Sequence, residues 1–340
     1  MIEFFFATTY PLLTVTVNNN ENIVMPLTEL PPELLDNIIE KTRPDGFEAI
    51  ALACRTTYAV AKGYIDEHNT LKRRFRQVIL TDYGRPIHTG RLLLDVLRRP
   101  LAALYIEGLH CHPPGHHEGC QIDEPTDEDL AMVNKFLRCS PYLRFTQEQA
   151  EACSARLFQT DAEDLQEMCN YSTALLLTIL PNVRRLSLPW HWGAIRSSAE
   201  TDQQSTVWPG IWQVLDQLTQ AANSGPAGNA PLGKLQTLLP YAEIEYDSFP
   251  KNALMELLPF MEMRSVREIY TTNCIAVDDG YTGIPFTWRH PEVSSNLRTL
   301  ELTGCCIDGD GIGKLLAHTP LLTSLKYSHA TKWHGCEHDW

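Results

Sequence analysis

The stretch NLRTLELTGC at 296–305 decides the fold of the larger part of this chain of 340 residues. Its apolar positions follow the order L-x-x-L-x-L-x-x-C and are occupied by Leu297, Leu300, Leu302 and Cys305. The alternation at its centre predicts a strand with one buried face. GIGKLLAHT then has helical spacing, and LLTSLKY restarts the strand pattern, with Leu325 in the place of Leu300. Strand, helix and strand in this order predict parallel neighbours in one sheet.

The same order resembles the strand of a leucine-rich repeat, and the spacing from Leu300 to Leu325 lies inside the range of such repeats. Upstream, VREIYTTNC places Ile269 one repeat before Leu300, and KLQTLL places Leu238 before Ile269 at the same interval. LPNVRRLSL and RPLAALYIEGL supply two further strands. We align them through Leu186 and Leu104, at longer intervals that hold insertions.

The resemblance implies an α/β chain in which 67–340 forms an irregular solenoid of parallel strands and helices, incomplete at its C-terminal end. Since only a short polar segment follows the last predicted strand, we expect a longer form that continues past Trp340. An unrelated α/β domain with several L-x-x-L strands is the alternative. If the solenoid is correct, the outward residues of its strands are candidate substrate contacts: Arg184, Arg185, Arg267, Tyr270, Arg298, Glu301, Ser324 and Lys326.

LPPELLDNIIE at 30–40 predicts a helix near the N-terminus. Pro32 suits a first helical position and Glu33 the positive end of the helix dipole, while Arg43 before Pro44 predicts the helix end. Four aliphatic residues share one stripe of this helix: Leu34, Leu35, Ile38 and Ile39. Further helical spacing follows in PDGFEAIALACRTTYAVAKGYI. A unit of about 40 residues seldom sustains a core alone, so this stripe either docks on the rest of the chain or binds another protein.

This segment resembles an F-box, whose two halves match here at nine positions: Leu30, Pro31, Glu33, Leu34, Leu35, Ile38, Leu52, Cys54 and Arg55. The chain departs at Tyr58, four residues after Cys54, where many members place tryptophan three residues after it. The resemblance implies that 25–66 is a short three-helix F-box, which docks on the Skp adaptor, and through it on the cullin scaffold, of a Skp-Cullin-F-box ubiquitin ligase. The implied adaptor contacts are Leu30, Pro31, Pro32, Leu34, Leu35, Ile38, Ile39, Leu52, Cys54 and Tyr58; Phe47 and Ile50 help to hold the unit together.

The predicted function is therefore a non-catalytic substrate receptor that binds an unidentified protein, without a cofactor and without chemistry of its own. Its formal net charge of −14 argues against a nucleic-acid partner. Ten scattered cysteines without a C-x-x-C pair favour a reducing compartment, the cytoplasm and/or the nucleus. We expect 1–24 to be a disordered extension rather than a membrane anchor, since its apolar run is short and broken at Pro11, and Met25 to be the working start.

HCHPPGHHEGCQIDE at 110–124 offers six potential zinc ligands: His110, Cys111, His112, His116, His117 and Cys120. Structural zinc sites usually present two spaced ligand pairs, so we interpret this segment as a polar insertion and predict no metal. DGDGIGK at 308–314 fits neither a P-loop nor a calcium loop, and we predict a turn before a helix. Two alternatives stay open, a repeat scaffold without a ubiquitin role and a metal-dependent enzyme built around the histidine segment.

Overall fold

The chain forms two compact units, Met1–Arg76 (unit 1) and Gln77–Trp340 (unit 2). The computed structural model describes residues 12–16, 22–80, 86–111, 125–143, 145–158, 165–189, 192, 211–224, 230–240, 252–277 and 285–330. Unit 1 extends past the predicted boundary at 66, because its last helix continues to Phe75.

The described residues of unit 1 form a strand pair and three α-helices. Leu12–Thr16 (β1) pairs antiparallel with Asn22–Pro26 (β2), within the segment for which we expected disorder, and Met25 lies inside β2. A 3-10 turn at Leu27–Glu29 leads into the helices Pro32–Lys41 (α1), Phe47–Ala51 (α2) and Arg55–Phe75 (α3). The first helix begins at a proline and ends before Arg43, as the two prolines predict.

The helices of unit 1 enclose a core of their own. Its buried apolar residues are Leu27, Leu35, Ile39, Phe47, Ile50, Ala51 and Ala61. Around it, the Arg43 guanidinium donates from Nη1 to Glu67 Oε2 at 2.7 Å and lies 4.8 Å from the Tyr64 ring centroid. The Tyr64 hydroxyl donates to Asp36 Oδ1 at 2.8 Å. These bonds join α1 and the segment after it to α3, so the three helices pack as one unit.

Unit 2 is built on a parallel sheet of the α/β class. Seven strands follow one another in both sequence and space: Gln77–Leu80 (β3), Gly108–Cys111 (β4), Arg185–Ser187 (β5), Thr237–Leu239 (β6), Glu268–Thr272 (β8), Thr299–Ile307 (β10) and Ser324–His329 (β11). Two short strands, Asn252–Ala253 (β7) and Cys274–Ala276 (β9), join the far end of β10. Each of these strands is parallel to the next and is connected to it by a crossover. The result is an open parallel sheet whose strand order follows the sequence.

The described helices of unit 2 lie between these strands. They are Pro86–Arg98 (α4), Leu101–Tyr105 (α5), Asp127–Cys139 (α6), Gln147–Arg156 (α7), Leu165–Leu177 (α8), Ile211–Ser224 (α9), Leu258–Met261 (α10) and Gly309–Ala317 (α11), with a 3-10 turn at Leu254–Leu257. The predicted turn at 308 is the start of α11, where Asp308 Oδ1 accepts the Gly311 N–H at 2.7 Å. In the described part of the chain, no helix has the length and apolar character that crossing a membrane requires.

One row of aligned residues runs across all seven sequential strands. Its members are Val78, Leu109, Leu186, Leu238, Ile269, Leu300 and Leu325. The residues three positions earlier form a second apolar row, of which Ile106, Val183, Leu235, Val266 and Leu297 are fully buried. At the C-terminal end, the pairing of Leu238, Ile269, Leu300 and Leu325 agrees with the spacing that the sequence predicted.

The alignment through Leu104 was wrong. Leu104 lies in α5, and the residue that pairs with Leu186 is Leu109. The spacing of Leu101 and Leu104 fits a helical turn as well as a strand signature, so the leucine pattern alone does not separate the two. With the correct register, a strand that we did not predict, β3, can also be recognised in the sequence. Its residue Val78 precedes Leu109 by the same interval that separates Ile269 from Leu300.

The same backbone hydrogen bonds recur at the starts of β5, β6, β8, β10 and β11. The Arg184 carbonyl accepts two N–H groups from the following strand, those of Gln236 and Thr237, at 2.9 and 3.0 Å. The carbonyl of Arg298 accepts the N–H groups of Thr323 and Ser324 in the same way, both at 2.9 Å. Because the same bifurcated bond occurs on both sides of long insertions, it identifies equivalent positions along the sheet.

A left-handed backbone conformation occurs at two equivalent positions, one between β8 and β9 and one within β10. Asn273 and Gly304, which directly follow the paired residues Thr272 and Thr303, have φ values of 55° and 62°. The Asn273 N–H donates to the Thr303 carbonyl at 2.9 Å. Gly304 suits its place because a Cβ there would meet Asn273 Oδ1 at 3.0 Å in a conformation that other residues rarely adopt. The pair of turns redirects the chain from β8 into β9 and within β10.

Candidate functional site

Three large apolar side chains on unit 1 are exposed although the core of the unit is filled. Leu34 on α1 is 52% exposed, Leu52 after α2 is 79% exposed, and Tyr58 in the first turn of α3 is 48% exposed. We call these three the exposed apolar set. Of the described large apolar residues, the other exposed ones lie in strand β3 or within Leu316–Tyr327.

Local geometry explains the exposure. In α1, Leu35 and Ile39 are one helical turn apart and both face inward, so their neighbour Leu34 faces outward. Leu52 is the C-cap residue of α2, where the chain turns toward α3. Tyr58 follows the fully buried Thr57 and lies about 100° further around α3, on the exposed side of the helix. The exposed apolar set thus comes from all three helices of the unit.

The structure changes the list of predicted adaptor contacts. Leu35 and Ile39 are 2% and 0% exposed and belong to the core of unit 1, so they are not surface residues. Leu30 and Ile38 pack against that core and are half-buried. The predicted contacts that do lie on the surface are Pro31, Pro32, Leu34, Leu52 and Tyr58.

Cys54 has a local structural role. Its thiol caps α3 by accepting the Thr57 N–H at 3.5 Å, and its own N–H donates to the Thr57 hydroxyl at 3.1 Å. Hydrogen bonding with Thr57 lowers the pKa of the Cys54 thiol. The reciprocal cap fixes the start of α3 and hence the position of Tyr58.

Unit 2 has a groove along the outward face of its sheet, with a cavity volume of about 670 Å³. Its polar lining includes Arg185, Thr237, Glu268, Tyr270, Glu301 and Lys326. These side chains come from five strands, β5, β6, β8, β10 and β11. On each strand they lie next to the residue of the aligned row, which is Leu186, Leu238, Ile269, Leu300 or Leu325. The strand register therefore assembles the groove from residues that are far apart in the sequence.

Four of the eight predicted substrate-facing residues line this groove, namely Arg185, Tyr270, Glu301 and Lys326. Ser324 is exposed but does not line it, and neither do Arg184, Arg267 and Arg298, which precede their strands by one residue. Successive strand residues face opposite sides of a sheet, so the positions immediately before and after each buried residue face outward. That rule would have found Glu268 and Thr237, which the sequence analysis missed, and excluded Arg267.

The charges in the groove are not all paired. Lys326 Nζ lies 2.5 Å from Glu301 Oε1. Glu268 Oε2 accepts the Thr237 hydroxyl at 3.2 Å and faces the Tyr270 hydroxyl at 3.5 Å. Burial, and next the Glu268 carboxylate, raise the pKa of Tyr270, so this phenol stays protonated at neutral pH. Within the described ranges, neither Glu268 nor Arg185 has an ion pair.

The histidine and cysteine segment is only partly described. His110 Nε2 is 3.2 Å from Gln77 Oε1, and the Cys111 side chain is buried. His112, His116, His117 and Cys120 lie outside the described residues. Among those that are described, no three histidine, cysteine or carboxylate side chains come together as metal ligands would.

The two surfaces differ in the ligands they suit. The exposed apolar set suits an apolar protein surface, whereas the groove offers hydroxyls, an aromatic ring and charges of both signs, which suit a peptide chain. In comparisons with known proteins, no family model and no curated protein matches the chain.

Proposed function

We propose that this chain is a non-catalytic substrate receptor of a Skp-Cullin-F-box ubiquitin ligase. In this proposal unit 1 is an F-box that binds the Skp adaptor, and unit 2 is a divergent leucine-rich solenoid that binds a protein substrate. The observation that carries the proposal is the exposed apolar set on a unit whose core is already filled. A receptor of this kind acts in the cytoplasm and/or the nucleus.

Energetics favours a partner for unit 1. Fully burying a leucine or a similar side chain contributes about 1.5 to 3 kcal/mol. Leu34, Leu52 and Tyr58 each retain roughly half or more of their surface in water, so covering them contributes about 1 to 2 kcal/mol each. A few large anchors of this size commonly dominate a protein interface. The prolines ahead of α1, Pro31 and Pro32, are also exposed and extend the available surface.

The topology of unit 2 supports the solenoid. Sequential parallel strands, the aligned buried rows and the bifurcated bond at strand starts all repeat along the chain, with insertions between some of the strands. Repeat proteins of this kind use the strand face for binding, and here that face carries the groove. Substrate capture then raises the local concentration of the substrate beside the rest of the ligase, without bond chemistry by this chain.

Co-purification with the Skp adaptor tests the proposal. The full-length chain should retain the adaptor, and Leu34→Asp combined with Leu52→Asp should abolish retention. Leu321→Asp is the matched control, since Leu321 on unit 2 is 51% exposed and close to Leu34 in exposure. Failure of the wild-type chain to bind, or equal binding by the double variant, would overturn the proposal.

A repeat scaffold without a ubiquitin role is the second candidate. The observation in its favour is the burial of Leu35 and Ile39, which removes two of the adaptor contacts implied by the F-box resemblance. Tyr58, in place of the more usual tryptophan, points the same way. This candidate predicts a functional groove on unit 2 and no adaptor binding, so the same co-purification separates the two.

A further inference from the structure

We propose that the groove of unit 2 recognises a basic side chain, lysine or arginine, in an extended segment of a protein ligand, with Glu268 binding its cation. The naming of this ligand as a ubiquitination substrate rests on the proposed function. The recognition itself rests on the groove alone.

The two carboxylates of the groove differ in their charge environment along the sheet. Glu301 has its cation within the protein, because Lys326 on the neighbouring strand lies 2.5 Å from it. Glu268 has threonine on both sides, Thr237 on β6 and Thr299 on β10. Among the described residues no lysine, arginine or histidine forms an ion pair with the Glu268 carboxylate, although Arg185 lines the same cavity of about 670 Å³ and its charge acts on Tyr270. A groove carboxylate that no cation contacts favours a cationic ligand.

Neighbouring hydroxyl groups hold the Glu268 carboxylate in one orientation. The hydroxyl groups of Thr237, at 3.2 Å, and Tyr270, at 3.5 Å, both donate to the same carboxylate oxygen of Glu268, Oε2. They fix the carboxylate without neutralising it, and in the described structure Oε1 has neither bond. An arriving guanidinium or ammonium group therefore meets an oriented acceptor. The Tyr270 ring, two residues along the same strand, adds an aromatic face that attracts cations.

The position of Arg185 in the groove determines which form of ligand fits. Arg185 lines the same groove and has no ion pair within the described ranges. It lies two strands from Glu268 in the same row, or roughly 10 Å at the usual strand spacing. An extended peptide covers about that distance in three residues. The groove therefore fits a peptide in which an acidic and a basic side chain are about three residues apart. Nucleic acid does not fit, because the groove carboxylates and the net charge of −14 repel phosphates.

Peptide display on the full-length chain tests the inference. The probe is a random library of short peptides selected on immobilised wild-type protein and sequenced against the input library. We expect enrichment of lysine or arginine, with an acidic residue about three positions away. No enrichment of basic residues would overturn the inference.

Variants then assign the binding to Glu268. For the strongest selected peptide, Glu268→Gln should weaken binding at least about tenfold by fluorescence anisotropy, since a charge-assisted bond is lost. Glu292→Gln, an exposed carboxylate of unit 2 that does not line the groove, is the matched control and should bind as wild type. Equal affinity of the two variants would contradict the assignment.

A charge-reversal variant distinguishes loss of the Glu268 contact from loss of folding. Selection on Glu268→Lys should enrich acidic residues where the wild type enriches basic ones, a result that loss of folding does not produce. Continued enrichment of basic residues by this variant would overturn the inference. These experiments contain no adaptor and leave unit 1 unchanged, so their failure is distinct from failure of adaptor binding by Leu34 and Leu52.

Discussion

Alanine at Leu35 should strongly destabilise unit 1, whereas alanine at the adjacent Leu34 should leave its stability nearly unchanged. The two leucines have the same chemistry and lie in the same helix. They differ in environment, since Leu35 is 2% exposed in the core and Leu34 is 52% exposed. The pair therefore separates packing from surface presentation.

The structure sets the size of each effect. Truncating a buried leucine to alanine costs about 2 to 5 kcal/mol, counting both lost burial and the cavity left behind. Residues 27–76 comprise about 50 residues, for which a typical stability is about 2.5 to 7.5 kcal/mol. Leu35→Ala thus removes a large share of the stability of unit 1. At Leu34 about half of the side chain is already in water, so the cost there is about 1 kcal/mol or less.

Hydrogen exchange measured by mass spectrometry on the full-length chain checks this pair. Peptides from α1 and α3 report unit 1 separately from unit 2. A loss of about 3 kcal/mol should accelerate their exchange roughly a hundredfold in Leu35→Ala, with little change in Leu34→Ala. Similar acceleration in both variants, or a larger effect at Leu34, would refute the assignment of Leu35 to the core.

The remaining predictions concern unit 2 and the response to acid. Leu300 is fully buried, so Leu300→Ala should lower the unfolding free energy of unit 2 by about 3 kcal/mol in denaturant titrations. Its partner in the same row, Leu325, is 43% exposed, and Leu325→Ala should lower it by about 1 kcal/mol or less; equal losses would contradict the register. Hydrogen bonding from Arg98 holds the pKa of Asp129 below its usual value, so the stability this pair adds is lost as pH falls below about 4. Unfolding of Asp129→Asn should accordingly vary less with pH there; an unchanged dependence counts against it. Burial lowers the pKa of His68, so protonation of its ring should destabilise unit 1 as pH falls below about 6.5. His68→Gln should lose less stability than the wild type over that pH range, as measured by hydrogen exchange in α3. No difference between the variant and the wild type would argue against a buried neutral ring.

The sequence was most informative where neighbouring repeats have similar length. From Leu238 to Leu325 the strand residues recur at two equal intervals and a slightly shorter third, and a nearly constant spacing determines the register without knowledge of the loops. Where insertions intervene, the L-x-x-L pattern must be judged alone, and it matches a helical turn equally well. Taking Leu104 as the strand residue in place of Leu109 also hid β3, which is visible only from the correct position.

The candidate surfaces were partly predictable for a related reason. Period-two alternation is a property of the strand itself, so outward residues such as Glu268 follow from the sequence once the buried row is known. In unit 1 the apolar stripe predicted α1, but which of its leucines faces inward depends on where α2 and α3 pack. The core residues Phe47, Ile50 and Ala61 of the other helices decide which leucine is buried. Helical periodicity within α1 alone does not predict it.

Adaptor binding is the most direct test of the proposed function. The measurement is the affinity of the purified full-length chain for purified Skp adaptor, by titration calorimetry, for the wild type and for Leu34→Asp combined with Leu52→Asp. The account predicts saturable binding by the wild type and none by the double variant, with both showing the same hydrogen-exchange protection in unit 1. Absence of wild-type binding, or undiminished binding by a folded double variant, would contradict it.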